Sequence, residues 1–284
     1  MLPFTNRELE LSSLVFNNKS GAIYVLADSL QEKNDHLGEY LVDPNIDLNE
    51  KKRKISYRLF RIDDSYDTFC LHNIYLNDNL YMVYWRNNML DDEGEHRQDD
   101  WIELTRNEEW KLPSGLVYYA SLAALHYNQN HPDKKQKNLI VQCREMHAQD
   151  FEERWMMTST RIIYTPHGKD TIIHDYGSLQ PQEINVDLIG ESGKFIHKNS
   201  GLENEIKALL GTNDLEEVEQ VYKALTGREP RLWRLDSRRK ETLEQVLVLG
   251  IGFLDGYFDI NAKGFYVNDG VIARMVEIDE ELFI

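Results

Sequence analysis

At 284 residues, with 41% apolar and 11% aromatic content, the chain can bury a sizeable core in one large domain or two modest ones, and it is too apolar for intrinsic disorder. A net charge of −17 argues against non-specific binding to nucleic acid or anionic lipid, while leaving room for a local basic site. No apolar run reaches the ~18 residues of a membrane helix, residues 1–20 lack the basic-then-apolar order of a signal peptide, and two cysteines, Cys70 and Cys143, cannot build a disulfide framework.

A cytoplasmic protein with free buried thiols and no membrane partner is therefore expected; the sequence leaves its oligomeric state open. In chain order, Thr5 and Glu8 have capping-box spacing, and Leu9, Leu14 and Val15 follow, which predicts a first helix to about Phe16. The run AIYVLA after Gly21 fits a strand or a helix. Residues 31–54 read as a loop or subdomain edge. From 55 to 86, the runs YRLFRI, TFCLHNIYL and NLYMVYWR are rich in aromatic and β-branched residues and read as strands, with a hairpin turning at Asn77-Asp78-Asn79. Residues 87–109 hold nine Asp and Glu against two Arg. They read as a solvated acidic loop or a surface for a basic partner.

The stretch 116–127, LVYYASLAALHY, is apolar on every side of a helical wheel, the mark of a helix buried all round. Pro113 and Ser114 start it and Pro132 follows its end. A strand is predicted over 137–146 and a second hairpin around the turn 166–170. EINVDLIG, 183–190, alternates as a strand with one wet face. Ser200 with Glu203 and Asn213 with Glu216 predict two capped helices over 201–226, ending at Gly211 and Gly227. RLWRL is a strand, Asp236 caps a predicted helix over 237–249, and a last hairpin turns at Asn268-Asp269-Gly270. The expected class is α+β: mostly antiparallel sheet built from hairpins, packed with the buried helix 116–127 and the helical pair 201–226. A strand-rich N-terminal subdomain, 1–112, and an α+β subdomain, 113–284, are the expected division, with a single domain as the alternative.

Four constellations bear on chemistry. Gly250, Gly252 and Gly256 are spaced G-x-G-x-x-x-G, but Asp255 stands where a phosphate would be repelled, and too little chain follows for a doubly wound sheet. No dinucleotide or other cofactor is expected, and the glycines read as loosening a helix end. Cys70, His72, Cys143 and His147 supply zinc-type ligands without a recognised spacing, so no metal is expected. His174 beside Asp175 is the candidate catalytic pair, as general base or metal ligand of a hydrolase or nuclease. Finally, residues 228–240, REPRLWRLDSRRK, gather Arg228, Arg231, Arg234, Arg238, Arg239 and Lys240 around Trp233. Arginines pair bidentately with phosphate and carboxylate, and an indole offers a stacking surface. The preferred reading is a non-catalytic binding or accessory subunit with a local site for nucleic acid or an acidic protein partner. The alternative is the His174–Asp175 hydrolase.

Overall fold

The computed structural model describes residues 13–17, 22–26, 53, 56–57, 59–65, 67–76, 79–88, 96–106, 110–252, 255–264 and 271–280. Strands β1 (Ser13–Asn17) and β2 (Ala22–Leu26) form an antiparallel pair. The first helix expected to run to Phe16 is thus replaced by strand over its last residues, and its earlier part lies outside the described residues. A four-stranded antiparallel sheet follows, ordered β14-β5-β4-β3, from β3 (Arg61–Ser65), β4 (Thr68–Leu76), β5 (Asn79–Arg86) and β14 (Val276–Glu280). The β4–β5 hairpin stands where its aromatic and β-branched runs put it. Only the start of the first run differs, since residues 56, 57 and 59 are helical.

The larger sheet has eight strands, ordered β8-β7-β6-β11-β12-β10-β9, with β13 (Val271–Ile272) also on β6. Its strands are β6 (Trp155–Tyr164), β7 (Asp170–His174), β8 (Gln182–Val186), β9 (Lys194–Phe195), β10 (Pro230–Trp233), β11 (Leu243–Ile251) and β12 (Phe258–Gly264). The β10–β12 and β13–β6 pairs are parallel and the others antiparallel. With five helices, α1 (Gln98–Thr105), α2 (Gly115–Tyr127), α3 (Lys134–Glu153), α4 (Glu203–Leu210) and α5 (Leu215–Thr226), among the described residues, the class is α+β, as expected.

Helix α2 is buried from Gly115 through Leu125. It lies against β4, β6, α3, α4 and α5, so it has a wall on every side. Its first residue has no room for a side chain: a Cβ on Gly115 would stand 2.7 Å from the Leu209 carbonyl oxygen and 2.5 Å from the Leu247 side chain. Helices α4 and α5 end at Gly211 and Gly227, both left-handed, as their glycines promised. Their starts differ from expectation. Leu202 occupies the α4 cap position without a side-chain bond, and Asp214, not Asn213, caps α5 by accepting from the Glu217 amide at 2.9 Å. Glu217 then turns its carboxylate inward, 3% exposed, and accepts from the hydroxyls of Tyr119 (2.7 Å) and Tyr127 (3.2 Å) and from Arg53 (3.2 Å).

Four expectations are overturned. The strand predicted over 137–146 is the middle of α3. Asp133 caps that helix by accepting from the Gln136 amide, and Leu139, Ile140, Cys143, His147, Asp150 and Phe151 form its buried stripe. The short run LIVQC masked a helical period that only shows itself beyond 146. The acidic stretch 87–109 contains α1, anchored by fully buried Trp101. The helix predicted over 237–249 is β11, whose apolar run lacks alternation because both sheet faces are covered. Leu247 and Leu249 enter the main core, while Val246 and Val248 join Trp101, Met157 and Met275 in a second core on the opposite face. Among the described residues the arms of the last hairpin do not pair with each other: β12 and β13 belong to the large sheet and β14 pairs with β5 in the small one. Its expected turn, 268–270, lies outside the described residues.

Two histidines are sealed in this core. His147 is fully buried between Trp85 and Tyr118, ring centroids 4.6 and 6.1 Å away, with no hydrogen-bond partner on either nitrogen among the described residues. Burial, with Arg274 nearby, drops its pKa well below 6.5, and burial also lowers that of His174. The unfolded chain takes up both protons near pH 6.5 and the folded chain does not. Stability is therefore complete above that pH and declines below it, by about 1.4 kcal/mol per pH unit for each histidine until its folded pKa is reached. We expect His147→Leu to flatten the profile of urea midpoint against pH between about pH 6.5 and 5, without loss of stability at pH 8, because an apolar side chain leaves no unpaired polar group. An unchanged profile would show that His147 is protonated in the folded protein.

Candidate functional site

His174 ends β7 fully buried. Its Nε2 lies 2.8 Å from the Ala208 carbonyl of α4 and its Nδ1 2.9 Å from Thr160 Oγ1. A carbonyl only accepts, so Nε2 carries the proton and Nδ1 accepts from the Thr160 hydroxyl. Thr160 Oγ1 in turn accepts from the Gly115 amide at 3.0 Å. The relay Gly115–Thr160–His174–Ala208 ties α2, β6, β7 and α4 together and occupies both ring nitrogens. Asp175 follows in a left-handed conformation, φ 52°, and accepts from Ser159 at 3.5 Å. The two side chains do not share a cleft wall: Asp175 is half-buried beyond the strand end, and His174 faces the helix.

The basic segment is dispersed in a different way. Arg231, Arg234 and Arg238 each meet carboxylates of the chain. Arg231 pairs with Asp259 across the β10–β12 register and with Asp255 at 2.6 Å. The hydrogen bond from Arg231 holds the Asp255 carboxyl below the usual carboxylate range, whereas burial pushes Asp259 up. Arg234, 5% exposed, binds Glu205 at 2.6 Å and the Glu191 carbonyl at 3.3 Å, passing so close over Gly190 that a Cβ there would overlap its guanidinium. Arg238 meets Asp170, fully buried, and Asp187, each at 2.9 Å. Asp170 also accepts the Thr165 and Leu188 amides, both at 3.0 Å. Arg228, Arg239 and Lys240 are exposed and have no ion pair among the described residues. The expected convergence of arginines on one open face is thus replaced by three separate internal pairings.

The glycine-rich stretch turns β11 into β12, which corrects its reading as a helix end. The Gly252 amide donates to the Tyr257 carbonyl at 2.9 Å, and Gly250 lies against the backbone of Trp155. Among the zinc-type ligands, Cys70 Sγ is 3.4 Å from His72 Nε2, which faces Asp63 at 3.1 Å, while Cys143 and His147 are buried on α3. Among the described residues no group of three or more His, Cys, Asp or Glu is arranged to hold a metal ion.

What the structure does assemble is an aromatic face. Side chains alternate along β10 and β12, and Leu232, Phe258, Ile260 and Ala262 take the core side. The other side presents Arg231, Trp233, Asn261 and Lys263, and the register places Phe195 of β9 beside Arg231. Tyr257 completes the set, its ring 5.0 Å from that of Phe195. The Arg231 guanidinium lies 4.9 Å from both the Trp233 and Tyr257 rings, and Lys263 Nζ sits 4.5 Å over Trp233. Gly193, φ 75°, lies against the six-membered ring of the indole. Phe195 is 39% exposed. Arg228 reaches Gly256 at the rim. Sequence reasoning found Trp233, Arg231 and Arg228 but missed Phe195, Tyr257 and Lys263. These stand in separate stretches, joined only by strand register.

The pairings make a measurable distinction within one basic segment. Arg238→Ala is expected to cost about 3 kcal/mol in urea denaturation, because it leaves Asp170 buried and short of its countercharge. Arg239→Ala, at the next residue along the chain but exposed, should stay within about 0.5 kcal/mol of the parent. Equal effects would mean that the Asp170 pair contributes nothing to stability. The chain matches no family model, no curated protein and no solved structure.

Proposed function

We propose that the chain is a non-catalytic binding subunit whose outer face on β9, β10 and β12 takes single-stranded nucleic acid. The observation that supports this reading is the gathering of Phe195, Trp233 and Tyr257 on one side of three adjacent strands, with Lys263 and Arg228 beside them. Unstacked bases lay their π-faces on such rings irrespective of sequence, and cations at the rim meet the backbone. Arg231 is spoken for by Asp255 and Asp259. Its part is to fix the two rings it lies against, and the phosphate contacts fall to the other two cations. The rest of the surface belongs to a chain of net charge −17, so a polyanion is repelled elsewhere and held only where rings add to charge.

With about two phosphate contacts, affinity for a twelve-residue oligothymidylate should be modest, a Kd of about 10⁻⁵ M at low salt, with a log–log salt slope of about −1.4. Fluorescence anisotropy of the labelled oligomer measures both. Phe195→Ala should raise Kd about tenfold, the worth of one lost stack, without changing the slope. Lys263→Ala should reduce the slope by about 0.7. Oligoglutamate of matched charge supplies the anion without rings. If it binds as well as the oligothymidylate, the face is a dock for an acidic protein and the nucleic-acid reading fails. It fails equally if neither probe binds.

A further inference from the structure

A second site lies at the opposite end of the large sheet, where β8 is the outermost strand. A cleft of about 810 Å³ separates the core-side face of β8 from α4, within the roughly 300–1,000 Å³ of small-molecule sites. Its inner wall is apolar: Ile184 and Val186 of β8, Ile189 beyond it, and Ala208 of α4. Helix α4 offers small or polar groups on this side, Asn204 and Ala208, flanked by Gly201 before it and Gly211 at its end, while Ile206, Leu209 and Leu210 turn into the core. His174 binds the Ala208 carbonyl of that wall from the neighbouring strand.

Four charged residues line the cleft: Asp187, Glu205, Lys169 and Lys207. They do not neutralise one another. Glu205 is bound by Arg234 at 2.6 Å and Asp187 by Arg238 at 2.9 Å, both arginines approaching from outside the lining. Lys169 and Lys207 are exposed and have no ion pair among the described residues. Glu205 is therefore cancelled from behind, Asp187 shares Arg238 with the buried Asp170, and the two ammonium groups tip the sign of the site to positive. The amide of Asn204 adds a neutral donor. Arg234 and Arg238 thus bear on the charge of a cleft they do not line.

We propose that this cleft binds a small organic anion carrying about two negative charges on an apolar body, of which an aryl phosphate is the simplest representative. The anion meets Lys169 and Lys207, and the body lies on Ile184, Val186 and Ala208. Lysine is suited to this as a point charge that tolerates varied anion geometry. The proposal stands on residues separate from those of the nucleic-acid face, so either can fail alone.

The probe is 1-naphthyl phosphate, followed by its own fluorescence and by calorimetry on the full chain. Saturable binding is expected, with Kd raised about tenfold by Lys169→Ala or Lys207→Ala, the loss of one charge-assisted hydrogen bond, and abolished by the double substitution. Both lysines are exposed, so the melting curve should not move. Asp187→Asn removes a negative charge from the wall and should tighten binding several-fold, an outcome that mere damage to the fold cannot produce. 1-Naphthol and inorganic phosphate test the two halves of the ligand and should each bind far more weakly than the ester. Wild-type affinity in the double-lysine variant, equal binding of 1-naphthol, equal binding of inorganic phosphate, or no saturable binding of the ester would each overturn the proposal.

Discussion

Everything in this molecule accommodates one helix without a polar side. Helix α2 is buried over eleven consecutive residues, from Gly115 to Leu125. Each large apolar side chain so buried contributes roughly 1.5–3 kcal/mol, provided walls exist all round it. Here the walls are two sheets and three helices. A helix placed this way leaves little tolerance for error at its ends, where backbone groups have no helical partners. The Gly115 amide is answered by Thr160, and the same hydroxyl passes the chain of bonds through His174 to an unpaired carbonyl of α4. Ser121, the one hydroxyl in mid-helix besides the tyrosines, accepts the Trp85 indole from the small sheet at 3.2 Å. Position and polarity are settled together, and the two sheets are held at a fixed separation.

The arginines follow from the same economy of space. In an acidic chain, Arg161, Arg231, Arg234 and Arg274 are each under a tenth exposed, facing carboxylates such as Asp99, Asp259, Glu205 and Asp150. Burying such a pair costs nearly what its attraction returns, yet removing one partner strands the other in a poor medium. The pairs therefore act chiefly as locks on geometry. Their second effect is electrostatic: cations that would otherwise offset the acidic surface are withdrawn into the interior.

Local signals carried much of the fold. Burial of α2 was legible because apolar residues occupied every side of the wheel, and the ends of α4 and α5 because Gly211 and Gly227 can adopt a positive φ without strain. The hairpins β4–β5 and β6–β7 were legible from β-branched runs around turn residues. Helix α3 was not, because LIVQC hid its period. Strand β11 was not, because burial on both faces erased alternation. The aromatic face was half legible. Trp233 and Arg231 stood out by composition, but their neighbours Phe195 and Lys263 depend on register between distant strands. Whether an arginine is free or paired depends on partners such as Asp170, 68 residues from Arg238, and no local pattern announces those.

The path of residues 271–280 bears on how the protein is made. Strand β13 joins β6 of the large sheet, and within a few residues β14 joins β5 of the small one, with Val276 opposite Trp85. Between them Arg274 binds Asp150 and the carbonyls of Arg86 and Asn87, so one short segment staples both sheets to α3. During synthesis, the β5 edge leaves the ribosome long before the strand that will cover it. Until then it presents unpaired amides and carbonyls beside the fully buried residues Val83 and Trp85, the kind of edge on which strands of other chains add. Completion of the small sheet is thus a late event with a high sequence separation to close. A nascent chain stalled before residue 276 would hold most of its core and still lack the strand that shields it from its neighbours on the polysome.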